Sequence, residues 1–158
     1  MRNPVFTLFL LAFFLPPFLI AQSQSPSASA RQSRETEEVE HVLGVQQDAW
    51  NRHDLAGFMA GYWNSPELTF FSSAKENDGW QATMDRYHAT YQSVGHEMGK
   101  LEFSGLRIEM LGTDAAFVRG TWHLTTSDEK NPHGLFTLIF RKFPAGWKIV
   151  HDHTSAAE

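Results

Sequence analysis

Residues 101–155 carry the strongest structural signal in the chain; they read LEFSGLRIEMLGTDAAFVRGTWHLTTSDEKNPHGLFTLIFRKFPAGWKIVHDHTS. Four runs in this segment are rich in β-branched and aromatic residues, and turn-forming Gly, Pro, Asp and Asn residues separate them. The runs cover residues 101–111, 115–126, 134–143 and 147–155. This pattern predicts four long strands that follow one another as an antiparallel meander.

The preceding segment shows helical periodicity instead. Residues 36–51 place apolar side chains at spacings of three and four, so that they share one face. Asp54 can cap a second, short helix and Asp78 a third, because an aspartate side chain accepts hydrogen bonds from the free N–H groups of a first turn. Residues 68–72 are predicted as a strand and residues 75–79 as a loop. Helices followed by a meander predict an α+β domain whose antiparallel sheet curls around the helices.

The third predicted helix carries an aromatic stripe. Its members recur every three or four residues: Trp80, Met84, Tyr87 and Tyr91. Such a stripe is typical of a hydrophobic core, and it is equally suited to the wall of a ligand pocket, since pocket walls are mostly apolar. Both interpretations remain open from the sequence.

The beginning of the chain differs in composition from the rest. Residues 1–21 combine a positive start, an apolar run and a small residue before the predicted cleavage point, which is the layout of a secretory signal peptide. A membrane anchor is the alternative, but two prolines interrupt a run shorter than the ~20 residues that span a bilayer. Residues 22–34, rich in Ser, Gln and Ala, predict a flexible linker. We therefore expect a secreted or periplasmic protein, without a stable membrane span after cleavage, whose folded domain covers residues 35–158.

Composition excludes several classes of function. A chain of 158 residues forms one domain of ordinary size. The formal charge of −5 argues against a nucleic-acid binder, which needs a basic surface. The absence of cysteine excludes disulfides, thiolate nucleophiles, iron–sulfur clusters and Cys-type zinc sites.

The last predicted strand contains two histidines. Regular alternation places His151 and His153 on the inward face, with the large apolar residues, and Asp152 on the outward face. Three interpretations stay open for the imidazoles: hydrogen-bonded groups in a polar core, proton donors or acceptors in a cavity, or metal ligands. A metal site would need a third ligand from another element, so we predict neither a metal nor a cofactor.

Arg119 lies in the middle of a predicted strand among apolar neighbours. A buried guanidinium must pair with a carboxylate or meet an anionic ligand, because burying it alone is costly. Glu102 and Glu109 are the acids on the preceding strand, and neither is an obvious partner. A structural ion pair and a ligand-anchoring role therefore both remain open.

Motifs of several enzyme classes are missing from the sequence. It has no Gly-rich phosphate loop, no G-x-S-x-G elbow and no H-E-x-x-H. Paired inward carboxylates are not indicated either, since most acids fall in loops, helix starts or outward strand positions. An enzyme of this composition would be an acid–base catalyst that uses His, Tyr and Arg around an enclosed cavity.

Four segments resemble the nuclear transport factor 2-like superfamily, in the SnoaL-like branch that is also similar to the association domain of calcium/calmodulin-dependent protein kinase. They are VLGVQQDAWNRHDLAGFMAGYW (residues 42–63), GWQATMDRYHATY (79–91), AAFVRGTWHL (115–124) and WKIVHDHTS (147–155). The resemblance implies a cone-shaped, strongly curved antiparallel sheet wrapped around three helices, enclosing a pocket and forming a homodimer through the outer sheet face. Characterised relatives include ketosteroid isomerase, polyketide cyclases and dehydratases.

The resemblance also implies which side chains reach the pocket: Tyr62, Trp80, Tyr87, Tyr91, Arg119, His151 and His153. We assign the acid–base role to His153 together with His151, and Arg119 completes this predicted catalytic set as the anchor of the ligand. The aromatic residues are predicted to bind the ligand. His123, on the same side of its strand as Arg119, is counted with them.

Two hypotheses about function follow. The first is an exported homodimer that binds a small, partly aromatic or anionic molecule; if it turns the molecule over, it is an acid–base enzyme similar to an isomerase, dehydratase or cyclase. The second is a non-catalytic association module in which Val118 and Trp122 form an oligomer interface on the outer sheet face.

Overall fold

The computed structural model describes residues 27–72 and 75–157. The elements in chain order are α1 (Ala28–Asn51), α2 (Leu55–Met59), β1 (Thr69–Ser72), β2 (Lys75–Asp78), α3 (Trp80–Tyr87), a π-helical turn (His88–Gln92), β3 (Lys100–Met110), β4 (Ala115–Thr125), β5 (His133–Phe143) and β6 (Gly146–Thr154). The predicted α+β class, with helices in the N-terminal half and a curved, open sheet, is confirmed. The predicted signal peptide, residues 1–21, lies outside the described residues.

Helix α1 begins earlier than the apolar pattern indicates. Ser27 caps it, since its Oγ accepts a 3.2 Å hydrogen bond from the Ala30 N–H. The predicted linker, residues 22–34, therefore overlaps the first turns of α1, while residues 22–26 lie outside the described part of the chain. Ala, Arg and Gln are good helix formers, so the helix extends beyond its packed portion without apolar contacts. Within the described residues, no helix is long and apolar enough to cross a membrane.

The caps of the two short helices differ from each other. Asp54 caps α2 as predicted, because its Oδ1 accepts a 2.8 Å hydrogen bond from the Gly57 N–H. Asp78 does not cap α3; it lies in β2, paired with Thr69, and Gly79 takes the capping position with φ of 92°. The loop predicted over residues 75–79 is thus mostly an edge strand. Its polar residues show no apolar alternation, and backbone pairing with β1 makes it a strand.

The sheet has the strand order β2-β1-β6-β5-β4-β3. Strands β3 to β6 form the predicted antiparallel meander. Strand β1 pairs in parallel with β6, from Thr69 opposite His151 to Ser72 opposite Thr154, so the sheet is mixed. This pairing brings the segment that follows α2 beside the end of the chain. The concave face packs against the helices and buries apolar residues from both layers, among them Val39, Leu43, Val118, Phe140 and Ile149.

A β-bulge interrupts β6 at Val150. Phe140 pairs with Ile149, but Ile139 pairs with His151, which leaves Val150 without a partner on β5. One extra residue in a strand shifts the alternation of side chains by one position. Before the bulge the odd-numbered residues of β6, such as Ile149, face the helices; after it the even-numbered ones do. Asp152 is therefore the residue of the His-Asp-His segment that enters the interior.

Candidate functional site

A cavity of about 350 Å³ lies between the helices and the concave face of the sheet. Its wall is mostly apolar, and nine aromatic residues from the helical half of the chain and from the sheet belong to it: Trp50, Phe58, Tyr62, Phe70, Tyr87, Tyr91, Phe103, Trp122 and Phe136. Two charged side chains belong to the same wall, Arg86 and Asp152. An apolar cavity with few polar groups is the usual form of a small-molecule site.

Asp152 is the buried acid of this cavity, with 5% of its surface exposed. Its Oδ2 accepts a 2.7 Å hydrogen bond from the Tyr62 hydroxyl. Its Oδ1 is buried and has no hydrogen-bond partner among the described residues. Burial raises the pKa of this carboxyl to about 7, although the Tyr62 hydrogen bond and the positive charge of Arg86 act in the opposite direction. A carboxyl with that pKa exchanges its proton readily at neutral pH.

Tyr62 and Tyr87 are both buried in the wall. Desolvation raises the pKa of each phenol, and the neighbouring Asp152 carboxylate raises it further. Both hydroxyls therefore keep their protons at neutral pH and act as hydrogen-bond donors. The backbone around Tyr62 is held against β6, because the Trp63 N–H donates to the Ile149 carbonyl at 2.9 Å and the Ile149 N–H to the Gly61 carbonyl at 3.0 Å.

Arg86 extends from α3 into the cavity wall. Its Nη2 donates a 2.9 Å hydrogen bond to the Ser72 Oγ, and its guanidinium carbon lies 4.8 Å from the centroid of the Phe70 ring. Among residues 27–72 and 75–157 it forms no salt bridge. The cavity thus contains a half-buried cation beside a buried acid.

Three of the predicted ligand-binding residues line the cavity: Tyr62, Tyr87 and Tyr91. The ring of Tyr91 lies 4.9 Å from that of Trp50 in an edge-to-face contact, and 5.9 Å from that of Tyr87 in a stacked one. Trp80 packs beside the core and donates from Nε1 to the Met59 carbonyl at 3.0 Å, outside the cavity wall.

The predicted inward orientation of His151 and His153 is wrong. The bulge at Val150 places both on the convex face and turns Asp152 inward instead. His151 Nδ1 lies 2.6 Å from the Thr69 Oγ1, and burial, followed by the neighbouring His153, lowers the pKa of His151. The His153 ring is exposed, 6.1 Å from the ring of Phe71.

Arg119 and His123 also lie on the convex face, outside the cavity. Arg119 is exposed and stands 5.2 Å above the Phe117 ring, opposite Arg107 on β3. The His123 ring lies 6.1 Å from that of His133. The predicted burial of Arg119 is wrong because its strand presents Val118, not Arg119, to the interior.

The prediction that Val118 and Trp122 form an interface on the outer sheet face is also wrong, because of the same alternation along β4. Val118 is fully buried and Trp122 lines the cavity, so neither lies on the outer face of the sheet. The apolar residues found there are Phe71, Phe117, Leu135 and Ile139.

Two residues of the site were missed from the sequence. The final strand contains one acid, Asp152, but regular alternation places it outside, and no sequence signal marks the bulge. Arg86 lies outside the aromatic stripe of its helix, so helical spacing did not mark it either. Within the described ranges, no group of three His, Cys, Asp or Glu residues could hold a metal ion.

Comparison with known proteins places this geometry in a family. Residues 39–158 match the family described as SnoaL-like domain. A nuclear transport factor 2-like protein of unknown function from Shewanella oneidensis is similar, with a TM-score of 0.71 and 36% identity over 76% of this chain and 98% of that one. No match was found among curated proteins.

Two further solved structures share the fold at lower identity. A ketosteroid isomerase-like protein from Erwinia carotovora atroseptica has a TM-score of 0.64 and 19% identity, covering 78% of this chain and 97% of that one. The other is from Thiobacillus denitrificans and is described as a putative calcium/calmodulin-dependent protein kinase type II association domain. It has a TM-score of 0.63 and 20% identity, covering 75% of this chain and 94% of that one. With the family match and the Shewanella relative, the chain belongs to the SnoaL-like domain family of the nuclear transport factor 2-like superfamily.

Proposed function

We propose that this protein binds a small apolar carbonyl compound in the cavity and moves a proton on it, as an isomerase does. The observation that carries the proposal is the state of Asp152, a buried carboxyl in the cavity wall with one oxygen held by Tyr62 and the other without a partner among the described residues. A buried acceptor without a partner is costly, and such groups occur where a ligand completes the hydrogen bonding.

The proposed step is a proton transfer at carbon. The ionised Asp152 removes a proton from the carbon next to a carbonyl, and the electrons of that C–H bond form an enolate. The Tyr87 hydroxyl donates a hydrogen bond to the developing negative charge on oxygen. Asp152 then returns the proton to another carbon of the conjugated system, so that the double bond moves and no oxidant or reductant is consumed.

The groups around Asp152 suit this role. The Tyr62 hydrogen bond orients the carboxyl, and the raised pKa of Asp152, about 7, makes it a stronger base than an exposed aspartate. The apolar side chains of the wall lower the local dielectric constant, which strengthens the hydrogen bond from Tyr87 to an enolate oxygen. The ketosteroid isomerase-like relative is in keeping with such chemistry on this fold.

The test is α-hydrogen exchange of 2-tetralone, an apolar ketone, in deuterated buffer, followed by proton NMR. We expect the wild type to accelerate the exchange and Asp152→Asn to lower the acceleration by at least ~100-fold. His153→Ala, on the convex face, serves as the matched control and should exchange like wild type. Undiminished exchange by a folded Asp152→Asn variant, or no acceleration by the wild type, would contradict the proposed chemistry.

A second candidate function, assembly, is favoured by the convex face of the sheet. Phe117 and Ile139 are half-buried there, and Leu135 has 64% of its surface exposed. The relative described as an association domain has the same fold. We propose that two copies of this chain pair through this face, which would cover the exposed leucine and its neighbours.

Light scattering coupled to size-exclusion chromatography tests the assembly. We expect a dimer for the wild type and a monomer for Leu135→Glu, because a buried carboxylate without a partner opposes association. Leu111→Glu is the matched control, since Leu111 is also exposed, at 52%, but lies in a turn at the end of β3. A wild-type monomer, or a Leu135→Glu variant that stays dimeric, would contradict this interface.

Export is also proposed, on the sequence of residues 1–21. We expect a secreted or periplasmic protein whose mature chain begins at Gln22. Fractionation of expressing cells and N-terminal sequencing would check it. An uncleaved chain in the cytoplasmic fraction would contradict it.

A further inference from the structure

The cation in the cavity wall is the feature that the proposed proton transfer does not use. Arg86 lines the cavity together with Ser72, its hydrogen-bond partner at 2.9 Å. A guanidinium has five N–H donors in a planar fork. In the described part of the chain, that bond to Ser72 is the one hydrogen bond the guanidinium donates, and no carboxylate oxygen lies within salt-bridge distance of it. Donors of this kind, half-buried in an aromatic wall, are well suited to an anion.

The aromatic rings hold the guanidinium in place. Its central carbon lies 4.8 Å from the Phe70 ring centroid and 5.8 Å from that of Tyr87. Both contacts are within cation–π range, and together with Ser72 they restrict the long side chain before any ligand arrives. A pre-ordered guanidinium loses less entropy on binding a carboxylate than a free one does.

The position of Arg86 relative to Asp152 narrows the ligand further. The two groups belong to one cavity and are close enough for the charge of Arg86 to influence the Asp152 carboxyl. Asp152 itself forms no salt bridge with Arg86, so the guanidinium keeps N–H donors for a ligand. Because both groups line one cavity of about 350 Å³, a ligand that meets both has its anionic group and its reactive carbon in one small molecule.

We infer that the ligand is an apolar, ring-sized carboxylic acid with an unsaturated or oxo function near the carboxylate, and that Arg86 binds this carboxylate. The inference rests on the proposed function, since it assigns the ligand class of the same cavity. The aromatic wall takes the apolar body, Arg86 and Ser72 take the carboxylate, and Asp152 with Tyr87 faces the reactive carbon and its oxygen. Arg86, and not Arg119 as the sequence predicted, is thus assigned as the residue that anchors the ligand.

A pair of probes with the same shape and different charge tests the inference: 2-naphthoate and 2-naphthamide. Binding is measured by isothermal titration at pH 6, where the Asp152 carboxyl is mostly protonated and repels the anion least. We expect wild type to bind 2-naphthoate at least about tenfold more tightly than 2-naphthamide, the effect of one charge-assisted hydrogen-bonded pair. In Arg86→Gln this preference should vanish, while 2-naphthamide binds as before.

Two further variants serve as controls for Arg86→Gln. Arg119→Gln removes an exposed guanidinium of the convex face and should keep the full preference for 2-naphthoate. Arg86→Lys retains the charge but not the fork, and it should keep part of the preference even if Arg86→Gln fails to fold. Equal binding of the two probes by the wild type, or an unchanged preference in Arg86→Gln, would overturn the inference. Neither result would contradict the proposal that the cavity binds an apolar ligand. Binding of neither probe would overturn the cavity proposal itself.

Discussion

The Tyr62 hydroxyl donates a 2.7 Å hydrogen bond to Oδ2 of Asp152, and this bond joins residues 90 positions apart in the chain. It connects the segment after α2 with β6, the last strand of the chain and an interior strand of the sheet. Both groups are buried, so the bond forms only when the helices and the sheet have closed around the cavity. The most specific expectations about this protein follow from this pair and its neighbours.

Replacing Tyr62 by Phe removes the hydrogen bond and leaves both oxygens of Asp152 without a donor from the described residues. Because the bond lowers the pKa of Asp152, its loss should raise that pKa above the present value of about 7. We expect a stability loss of about 1–3 kcal/mol. Carbon-13 NMR of the Asp152 carboxyl measures the pKa, and urea unfolding measures the stability. Tyr91→Phe is the control, and an Asp152 titration identical in wild type and Tyr62→Phe would refute the expectation.

Asp152→Asn should change how stability depends on pH. The folded-state pKa of about 7 lies above the reference value of 3.8, so between these values the folded protein binds more protons than the unfolded chain. Stability from this group is therefore complete below about pH 4 and is lost as pH rises through 7. An amide does not titrate, so Asp152→Asn lacks this loss. The free energy of unfolding of the variant, relative to that of wild type, should therefore be higher at pH 8 than at pH 5, by up to a few kcal/mol.

Urea unfolding of both proteins at pH 5 and pH 8 measures this difference. Asp128→Asn is a suitable control, because Asp128 is exposed and hydrogen bonds to Lys130 and Thr126 lower its pKa to about 2. That group stays ionised at both pH values and contributes no slope between them. A parallel pH dependence in wild type and Asp152→Asn would show that the carboxyl is not buried as described.

Gly134→Ala should strongly destabilise the protein. A Cβ at this position would clash with the Ser155 carbonyl oxygen, a backbone atom that has little room to move. The same oxygen accepts a 3.0 Å hydrogen bond from Trp122 Nε1, which lines the cavity. Thermal unfolding should show a loss of at least ~2 kcal/mol.

Gly44→Ala provides the matched control for that substitution. A Cβ at Gly44 would meet nothing within 4 Å, and the residue lies in the interior of α1. Alanine is preferred to glycine in a helix by roughly 1 kcal/mol, so this variant should be as stable as wild type or more stable. If the two glycine variants unfold alike, the close approach of the C-terminal segment to β5 is wrong.

Glu35, directly after the predicted linker, tests whether the N-terminal part of α1 is docked on the sheet. Its carboxylate accepts hydrogen bonds from Lys142 Nζ and, at 2.9 Å, from Trp147 Nε1. Glu35→Ala should cost about 1–2 kcal/mol, since it removes the acceptor of the buried indole N–H. Glu38→Ala removes a longer, 3.5 Å contact with the same lysine and should change stability by less than about 0.5 kcal/mol. Equal effects in chemical unfolding would argue against docking through Glu35.

Local patterns were sufficient for most of the fold. The four long strands are rich in β-branched and aromatic residues, so β3 to β6 were predicted within one residue of their ends. The Asp54 cap is equally local, because it depends on atoms three residues apart. Strand β2 was missed because Lys75–Asp78 is polar, and its strand conformation comes from hydrogen bonds to β1.

The aromatic part of the site was largely predictable, and its charged part was not. Tyr87 and Tyr91 belong to a stripe with helical spacing, and both line the cavity. On β6 the same kind of reasoning failed, because one unpaired residue, Val150, inverts the phase of everything after it. A bulge reflects the pairing of two strands, and neither strand's sequence shows it.

By itself, the amino-acid sequence determined the class of fold, the family and the aromatic character of the interior, because these depend on periodicities within single elements. The tertiary structure alone decided which charged groups enter the cavity. Strand register turns Asp152 inward and both histidines outward, and the packing of α3 against β1 brings Arg86 beside Ser72. Facing directions in a sheet have a period of two, so a single bulge exchanges the inner and outer sets of residues.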